Sequence, residues 1–329
     1  MQTVLVTGAS GFLGKHLVRL LEESDEQLRI RAFSRSEFPD FGDVRIESFR
    51  GDITNRNDVD SALAGVDQVY HLAGAVERNP TDPWKAYRTH VDGTRNLCEA
   101  MLKQGPRRCV LVSSSGTVAV SREAVEHTEE SGYKQALVHE WPYYLSKIYQ
   151  EKQALWYCEH RSLPITVVNP SLLLGPGDDR LSSTNDVRLF LKGQIKTIPS
   201  GGLSLVDVRD AAAGLIGAMR DGAIGERYLL AGENLTFREW IAKTARIARV
   251  SRPGFQLPDR AARFGAAALR QLYPLAGKEF ELDDATVKMS TFFWYCNSAK
   301  ARREIGFVTR AADDTLKETI SYLRSSGAA

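Results

Sequence analysis

Thr3-Val4-Leu5-Val6-Thr7-Gly8-Ala9-Ser10-Gly11-Phe12-Leu13-Gly14 is the stretch that decides the fold. A short β-branched, apolar run leads into three glycines spaced three apart. A helical pattern follows at once, with Leu13, Leu17, Leu20 and Leu21 apolar and Lys15, Arg19 and Glu22 between them. Strand, turn and helix form the first half of a βαβ unit that can hold a pyrophosphate. Gly8 permits the tight turn, Gly11 lets the backbone approach the phosphates, and Gly14 lets helix and strand pack closely. The helix N-terminus then offers free N–H groups and a partial positive charge to an anion. Glycine spacing of this kind recurs in many loops, so the rest of the chain must show that it needs an anion here.

The next strand, Leu28 to Phe33, ends at Ser34-Arg35-Ser36. About 20 residues past such glycines, a carboxylate would bind a ribose 2′-hydroxyl. The strand end carries Arg35 between two serines instead, and Glu37 comes later. A guanidinium with hydroxyls suits a 2′-phosphate, which favours NADP over NAD. Val44 to Arg50 reads as a third strand, followed by Gly51-Asp52-Ile53. Asp52 can accept from an adenine amino group with Ile53 against the ring, or it can serve the helix start that follows. Gln68 to His71 is a buried strand ending in Leu72, Ala73 and Gly74, whose small size leaves space for a cofactor.

A helix is expected over 82–104, then the strand Cys109–Val112 running into Ser113-Ser114-Ser115-Gly116-Thr117. Residues 120–141 are polar and patternless. Long loops of this kind are uncommon unless they cover a site. Pro142 opens a helix to about residue 160 that carries Tyr143 and Lys147 four apart on one face. Ile165–Val168 is a strand ending at Asn169-Pro170-Ser171, and further strands are expected at 203–208 and 228–231. This alternation predicts an α/β fold, a doubly wound parallel sheet. Residues 1–174 form the dinucleotide-binding domain and 205–231 return to its sheet. A smaller, mostly helical substrate lobe is interleaved over 175–329, with helices at 236–248, 258–272, 298–305 and 312–325.

Tyr143, Lys147 and Ser114 have a definite use together. A phenol titrates at about 10, and an ammonium one turn away is expected to pull that value down. Tyr143 can then pass a proton to or from a substrate oxygen, which Ser114 holds. With a nicotinamide, that is apparatus for hydride transfer between carbonyl and alcohol.

Composition narrows the remaining choices. The chain has 329 residues, 43% hydrophobic and 26% charged, which is ordinary for a globular protein. The net charge of +2 gives no reason to expect nucleic acid as a partner. Cys98, Cys109, Cys158 and Cys296 lie in no CxxC pair and the six histidines are scattered, so no metal is expected and the thiols read as reduced. Strand pattern begins at residue 3, which leaves no room for a signal peptide, and no run approaches a membrane span. The expected location is the cytoplasm.

Taken jointly, Thr7 to Gly14, Gly51-Asp52-Ile53, His71 to Gly74, Ser113-Ser114, Tyr143 to Lys147, Asn169-Pro170 and Asn297 to Phe307 resemble the extended short-chain dehydrogenase/reductase family. The resemblance spans almost the whole chain. Gly225 to Tyr228 and Ala231 to Thr236 are similar to its dihydroflavonol-4-reductase-like and hopanoid-associated epimerase-like branch. It implies Tyr143 as general acid/base, Lys147 also holding the nicotinamide ribose, Ser114 as the catalytic serine, and Pro170 and Ser171 beside the nicotinamide. The implied cofactor cradle is Gly8, Ser10, Gly11, Phe12, Leu13, Gly14, Arg35, Asp52, Ile53, Leu72, Ala73 and Gly74.

Two positions depart from the pattern. His90 stands where relatives usually have Asn, and Gly201 to Val208 lacks the arginine that nucleotide-sugar enzymes use on a diphosphate. Arg180, Arg188 and Lys192 are the substitutes to examine. The leading expectation is an NADP(H)-dependent oxidoreductase acting on an apolar or ring-bearing small molecule. A nucleotide-sugar epimerase or dehydratase and a non-catalytic NADP-sensing regulator are the alternatives. Relatives often pair the helices corresponding to 82–104 and 143–160, so Trp156 and Tyr157 are candidates for a homodimer face, with a monomer carrying partly exposed aromatics as the alternative. Phe292 to Tyr295 and the arginine-bearing helix at 258–276 are read as lobe packing, with a substrate wall and an interfacial membrane helix as the respective alternatives.

Overall fold

Strand β1 (Gln2–Thr7) enters α1 (Phe12–Glu22) through the glycine turn, as the spacing dictates. The computed structural model describes residues 1–24, 27–36, 45–76, 80–275 and 281–329, without the side chains of residues 259, 260, 262, 263 and 275. Glu37, Val44 and the side chains of Arg260 and Arg263 therefore lie outside the described residues. The first half continues with β2 (Leu28–Ser34), β3 (Ile46–Arg50), α2 (Arg56–Leu63) and β4 (Gln68–His71). Next come α3 (Trp84–Tyr87), a π-helical turn (Arg88–Asp92), α4 (Gly93–Gln104) and β5 (Arg108–Val112). After α5 (Gln135–Val138) come α6 (Pro142–Arg161), β6 (Ile165–Pro170), β7 (Leu172–Leu174) and α7 (Asn185–Leu191). The remainder is β8 (Gly202–Asp207), α8 (Val208–Asp221), β9 (Arg227–Leu230), β10 (Glu233–Thr236), α9 (Phe237–Ala248), α10 (Asp259–Leu275), α11 (Asp284–Met289), β11 (Phe293–Trp294), α12 (Ala299–Ile305) and α13 (Ala312–Ser325).

Seven strands form one parallel sheet in the order β3-β2-β1-β4-β5-β6-β9. Chain direction across the sheet reverses between β1 and β4, and at such a switch point the strand ends leave a crevice for a ligand. The alternation of β1 divides the core. Val4 and Val6 join Leu13, Leu17 and Val208 on one face. Leu5 joins Leu63, Leu97 and Leu111 on the other. Gly14 is required by the close approach of α1, since a Cβ there would stand 2.3 Å from Gly8 O. Gly8 has φ +71, and its Cβ would stand 2.8 Å from Ala73 N. A side chain at either position would force turn and sheet apart.

The smaller lobe corrects the sequence reading. Residues 202–207 do not rejoin the large sheet. They form β8, the centre of a second, four-stranded sheet with β10 antiparallel on one edge and β7 and β11 parallel on the other. Of the segment expected to return to the large sheet, only β9 does so, with α8 packing beneath it. Because β8 is buried at all six positions, it shows no period of two. Its partners are two to four residues long, too short for a pattern. The 120–141 loop is pinned to this lobe by bridges from Ser121 to Phe293 and from His127 to Cys296.

Candidate active site

The switch point opens on a cavity of about 830 Å³ lying between the large sheet and the smaller lobe. Gly8, Gly11, Phe12, Leu13 and Gly14 line one end. Gly11 caps α1 without a side-chain hydrogen bond, and the first turn has no acidic residue, which leaves the helix N-terminus suited to a phosphate. Arg35 lines the same end, just past β2. Beside it, Ser36 Oγ donates to Ser10 Oγ at 3.1 Å and Ser34 Oγ donates to Ser36 O at 2.5 Å. Leu72, Gly74, Pro170 and Ser171 also face the cavity.

Four sequence candidates are not in the lining. Ser10 accepts from the Ser36 hydroxyl, and the Ala73 N–H donates to Thr7 Oγ1 at 3.1 Å. Asp52 closes a turn, where its Oδ1 accepts from Thr54 N at 2.9 Å and Thr54 Oγ1 at 2.8 Å. Asn55, not Asp52, caps α2. Ile53 is buried against Gly93.

Helix α6 begins with Pro142 in its first turn, where the missing N–H costs nothing. This places Tyr143 at the cavity and Lys147 one turn deeper. Tyr143 is half-buried, its hydroxyl is hydrogen-bonded to Ser114, and both residues face the cavity with Lys147. The expected lowering of Tyr143 by Lys147 is not what the geometry gives. Burial pushes the phenol well up, the Tyr144 phenol adds to this, and the Ser114 hydrogen bond opposes it. Lys147 is itself lowered to about 7 by burial, with Glu151 opposing. Its Nζ donates to Val112 O and Gln150 Oε1, each at 2.9 Å. The lysine is therefore held on a carbonyl and an amide.

Three polar networks were not read from the sequence, although His90 was marked there as a departure from the family pattern. First, the Lys147 anchor continues inward: Gln150 Nε2 donates to Thr94 Oγ1 at 2.8 Å. Thr94 Oγ1 lies 2.9 Å from His71 Nε2, and His71 Nδ1 lies 2.8 Å from Thr7 Oγ1. All are buried, and burial, then Lys147, holds His71 down at about 3. Second, the π-helical turn delivers His90 to the site. Ala75 N–H donates to His90 Nε2 at 3.1 Å, which assigns the ring proton to Nδ1. Nδ1 then donates to Ser146 Oγ at 2.8 Å, and Ser146 Oγ donates to Tyr143 O. His90 is wholly buried and held neutral by burial first and by Lys147 second. It clamps the Gly74 loop to α6.

Third, Glu151 is a hub. Its Oε1 accepts from Ser113 Oγ at 2.5 Å, Thr117 Oγ1 at 2.8 Å and Asn169 Nδ2 at 2.7 Å. Its Oε2 accepts from Arg227 Nε at 2.9 Å. The hub ties α6 to β5, β6 and β9 around Ser114. No motif spacing could have revealed it, because its members are spread from Ser113 to Arg227.

Beyond Tyr143 the wall is mostly apolar, with Asp186, Gln194 and Lys196 among its polar members. Tyr144 stacks on Trp294 with ring centroids 4.9 Å apart, and Leu172, Leu203, Trp240, Leu269 and Met289 continue it. The aromatic run therefore divides its labour: Trp294 faces the cavity, while Phe292 is buried against Trp141. Of the substitute phosphate contacts, Arg188 is buried against Glu281 and Asn185, and Lys192 lies 3.8 Å from the same Glu281. Arg180 lines the cavity but is exposed.

A glycine cradle at the switch point, an uncapped helix end and a Ser–Tyr–Lys group in one crevice fit a nicotinamide dinucleotide, which when bound would supply or accept a hydride. Fold and site define a short-chain dehydrogenase/reductase, an oxidoreductase class. The chain belongs to the NAD dependent epimerase/dehydratase family, whose model matches residues 4–231. It is 29% identical over 333 residues to sterol demethylase protein B of Methylococcus capsulatus, covering 99% of each chain. It is 28% identical over 347 residues to 2-alkyl-3-oxoalkanoate reductase of Stenotrophomonas maltophilia, again with 99% of each covered. The crystal structure of gox2253 superposes with a TM-score of 0.83 at 29% identity, over 100% of this chain and 99% of that one. The resemblance read from the motifs holds.

Proposed function

We propose that the protein is an NADP(H)-dependent oxidoreductase moving hydride between the nicotinamide and a carbonyl or secondary alcohol of an apolar or ring-bearing small molecule. The observation that carries this is the Tyr143 hydroxyl, hydrogen-bonded to Ser114 at the foot of an apolar wall. Ser114 holds the substrate oxygen and Tyr143 gives it a proton in reduction, or takes one in oxidation. Lys147, fixed by Val112 O and Gln150, would reach the nicotinamide ribose. Gly8 to Gly14 would hold the pyrophosphate, and Arg35 with Ser36 the 2′-phosphate. Two relatives are named for sterol and for oxoalkanoate chemistry, and both names fit an apolar wall.

A sugar-nucleotide epimerase or dehydratase is the second reading, favoured by the family's name. The pairing of Arg188 and Lys192 with Glu281 speaks against it, because a diphosphate would have to break those pairs. We assign the protein to the cytoplasm; no helix among the described residues is long and apolar enough to cross a membrane. A homodimer through α4 and α6 is supported by the exposed rings of Tyr149 and Trp156 on α6; Tyr157, read with Trp156 as part of that face, is instead buried, its hydroxyl donating to Glu99 on α4.

The test is a panel of sterol ketones, 3-oxoacyl compounds, aromatic ketones and nucleotide sugars with NADPH or NADH, followed by cofactor absorbance. The proposal expects oxidation of NADPH with an apolar ketone. Conversion of a nucleotide sugar without net cofactor oxidation would establish the second reading instead.

A further inference from the structure

Helix α10 presents an apolar face to solvent. Ala261, Phe264, Ala267, Ala268 and Leu272 are exposed along one side. Phe264 is 78% exposed and Leu272 56% exposed, which are high values for side chains of this size. The opposite side, through Gly265, Ala266 and Leu269, lines the catalytic cavity. The two sides meet at the cavity mouth: Ala268 on the helix and Phe255 before it are both exposed and both part of the cavity wall. The solvent-facing stripe and the apolar cavity are thus one continuous surface.

Charge along the sequence of this segment is one-sided. From Arg249 to Arg270 the sequence carries five arginines, at 249, 252, 260, 263 and 270, against one acid, Asp259. Arg270 is paired with Asp284, so the four other arginines against Asp259 leave four minus one, +3, within this segment, whereas the whole chain carries +2. Among the described residues, the acids that follow are committed: Glu281 pairs with Arg188, Asp283 caps α11, and Asp284 takes up Arg270. A helix with large exposed apolar side chains on one face, in a segment whose sequence carries a net positive charge, matches the boundary between headgroups and acyl chains of an anionic bilayer.

We propose that the outer face of α10 docks on an anionic lipid surface, and that the cavity mouth beside it takes its apolar substrate from that surface. The second clause rests on the reading of the cavity as an apolar-substrate site; the docking itself does not. Phe264 and Leu272 enter the acyl boundary, the positively charged segment meets the headgroups, and the cavity mouth lined by Phe255 and Ala268 opens toward lipid rather than water.

The experiment is flotation of the full-length protein with vesicles of phosphatidylcholine alone and of equal parts phosphatidylcholine and phosphatidylglycerol. Wild type should float with the anionic vesicles, and raised salt should weaken binding because exposed charges are screened. Phe264→Ser with Leu272→Ser should lower the vesicle partition by about tenfold or more, while the unfolding temperature stays at the wild-type value. Failure of wild type to bind anionic vesicles would overturn the docking, as would unchanged binding by the double variant. A concentration-dependent dimer in sedimentation that the same variant dissolves would overturn it in favour of a second copy on this face. Absence of turnover with apolar ketones, by contrast, would sink the catalytic reading and leave the flotation result standing.

Discussion

Replacing Glu151 by Gln should destabilise the protein far more than its size change suggests. The carboxylate is fully buried and is surrounded only by donors: Ser113, Thr117 and Asn169 on Oε1, and Arg227 on Oε2. Gln keeps the shape, yet either rotamer turns an N–H₂ toward a donor. If the amide oxygen stays with the three neutral donors, the N–H₂ faces the Arg227 guanidinium. Removing one partner of a buried ion pair costs about 3–5 kcal/mol, chiefly because the remaining charge is stranded. Unfolding entropy of about 2.1 cal/mol/K per residue gives a chain of this length roughly 0.7 kcal/mol/K. The unfolding temperature should then fall by about 4–7 °C. Arg227→Met should cost a similar amount, since Arg227 also donates to Glu129 O and Tyr133 Oη. The double variant should lose less than the sum, with a coupling of about 1–3 kcal/mol. Calorimetry on the four proteins reads all of this. Strict additivity, or Glu151→Gln melting within about 1 °C of wild type, would refute the hub.

Three further outcomes follow from the same site. Lys147 titrates at about 7 in the fold against 10.5 ordinarily, so between those values the unfolded chain binds the extra proton. Wild type should therefore gain stability over Lys147→Met as pH rises from about 7 toward 10.5, read from urea midpoints; a flat difference would show that the lysine is not desolvated. His71, held at about 3 against 6.5, works at the acid end. There the unfolded chain binds the proton first, so stability is lost as pH falls from about 6.5 toward 3, and His71→Gln should flatten that slope in acid titrations. Arg35→Asp should raise the KM for NADPH by about a hundredfold, as expected on losing a charge-assisted phosphate contact, and leave that for NADH within a few-fold; equal effects on both would remove Arg35 from cofactor choice.

How much of this was legible in the sequence depended on range. The glycine turn, α1 and the Tyr143–Lys147 pair lie within single elements, where spacing fixes geometry, and they stand where spacing put them. The strand end pointed to the serines at 113–115, and the family resemblance singled out Ser114 among them. The Glu151 hub and the chain from Lys147 to Thr7 were not legible, because their members meet only through the sheet order. His90 shows an intermediate case. Its departure from the family pattern was visible, but its bonds depend on a π-helical turn that no periodicity announces. The small sheet failed for another reason: β8 is buried on both faces and its partners are too short to alternate. Trp294, in the run read as lobe packing or a substrate wall, stacks on Tyr144 and both face the cavity, so both readings describe the same contact.

The most direct measurement is the turnover of Tyr143→Phe with an apolar ketone and NADPH, on protein shown to keep its unfolding temperature and its affinity for NADPH. Phe keeps the ring beside His90 and Tyr144 and removes only the hydroxyl that meets Ser114. The account predicts that kcat falls by about 10²–10⁴-fold, the usual contribution of a positioned proton donor. Turnover equal to wild type would contradict it.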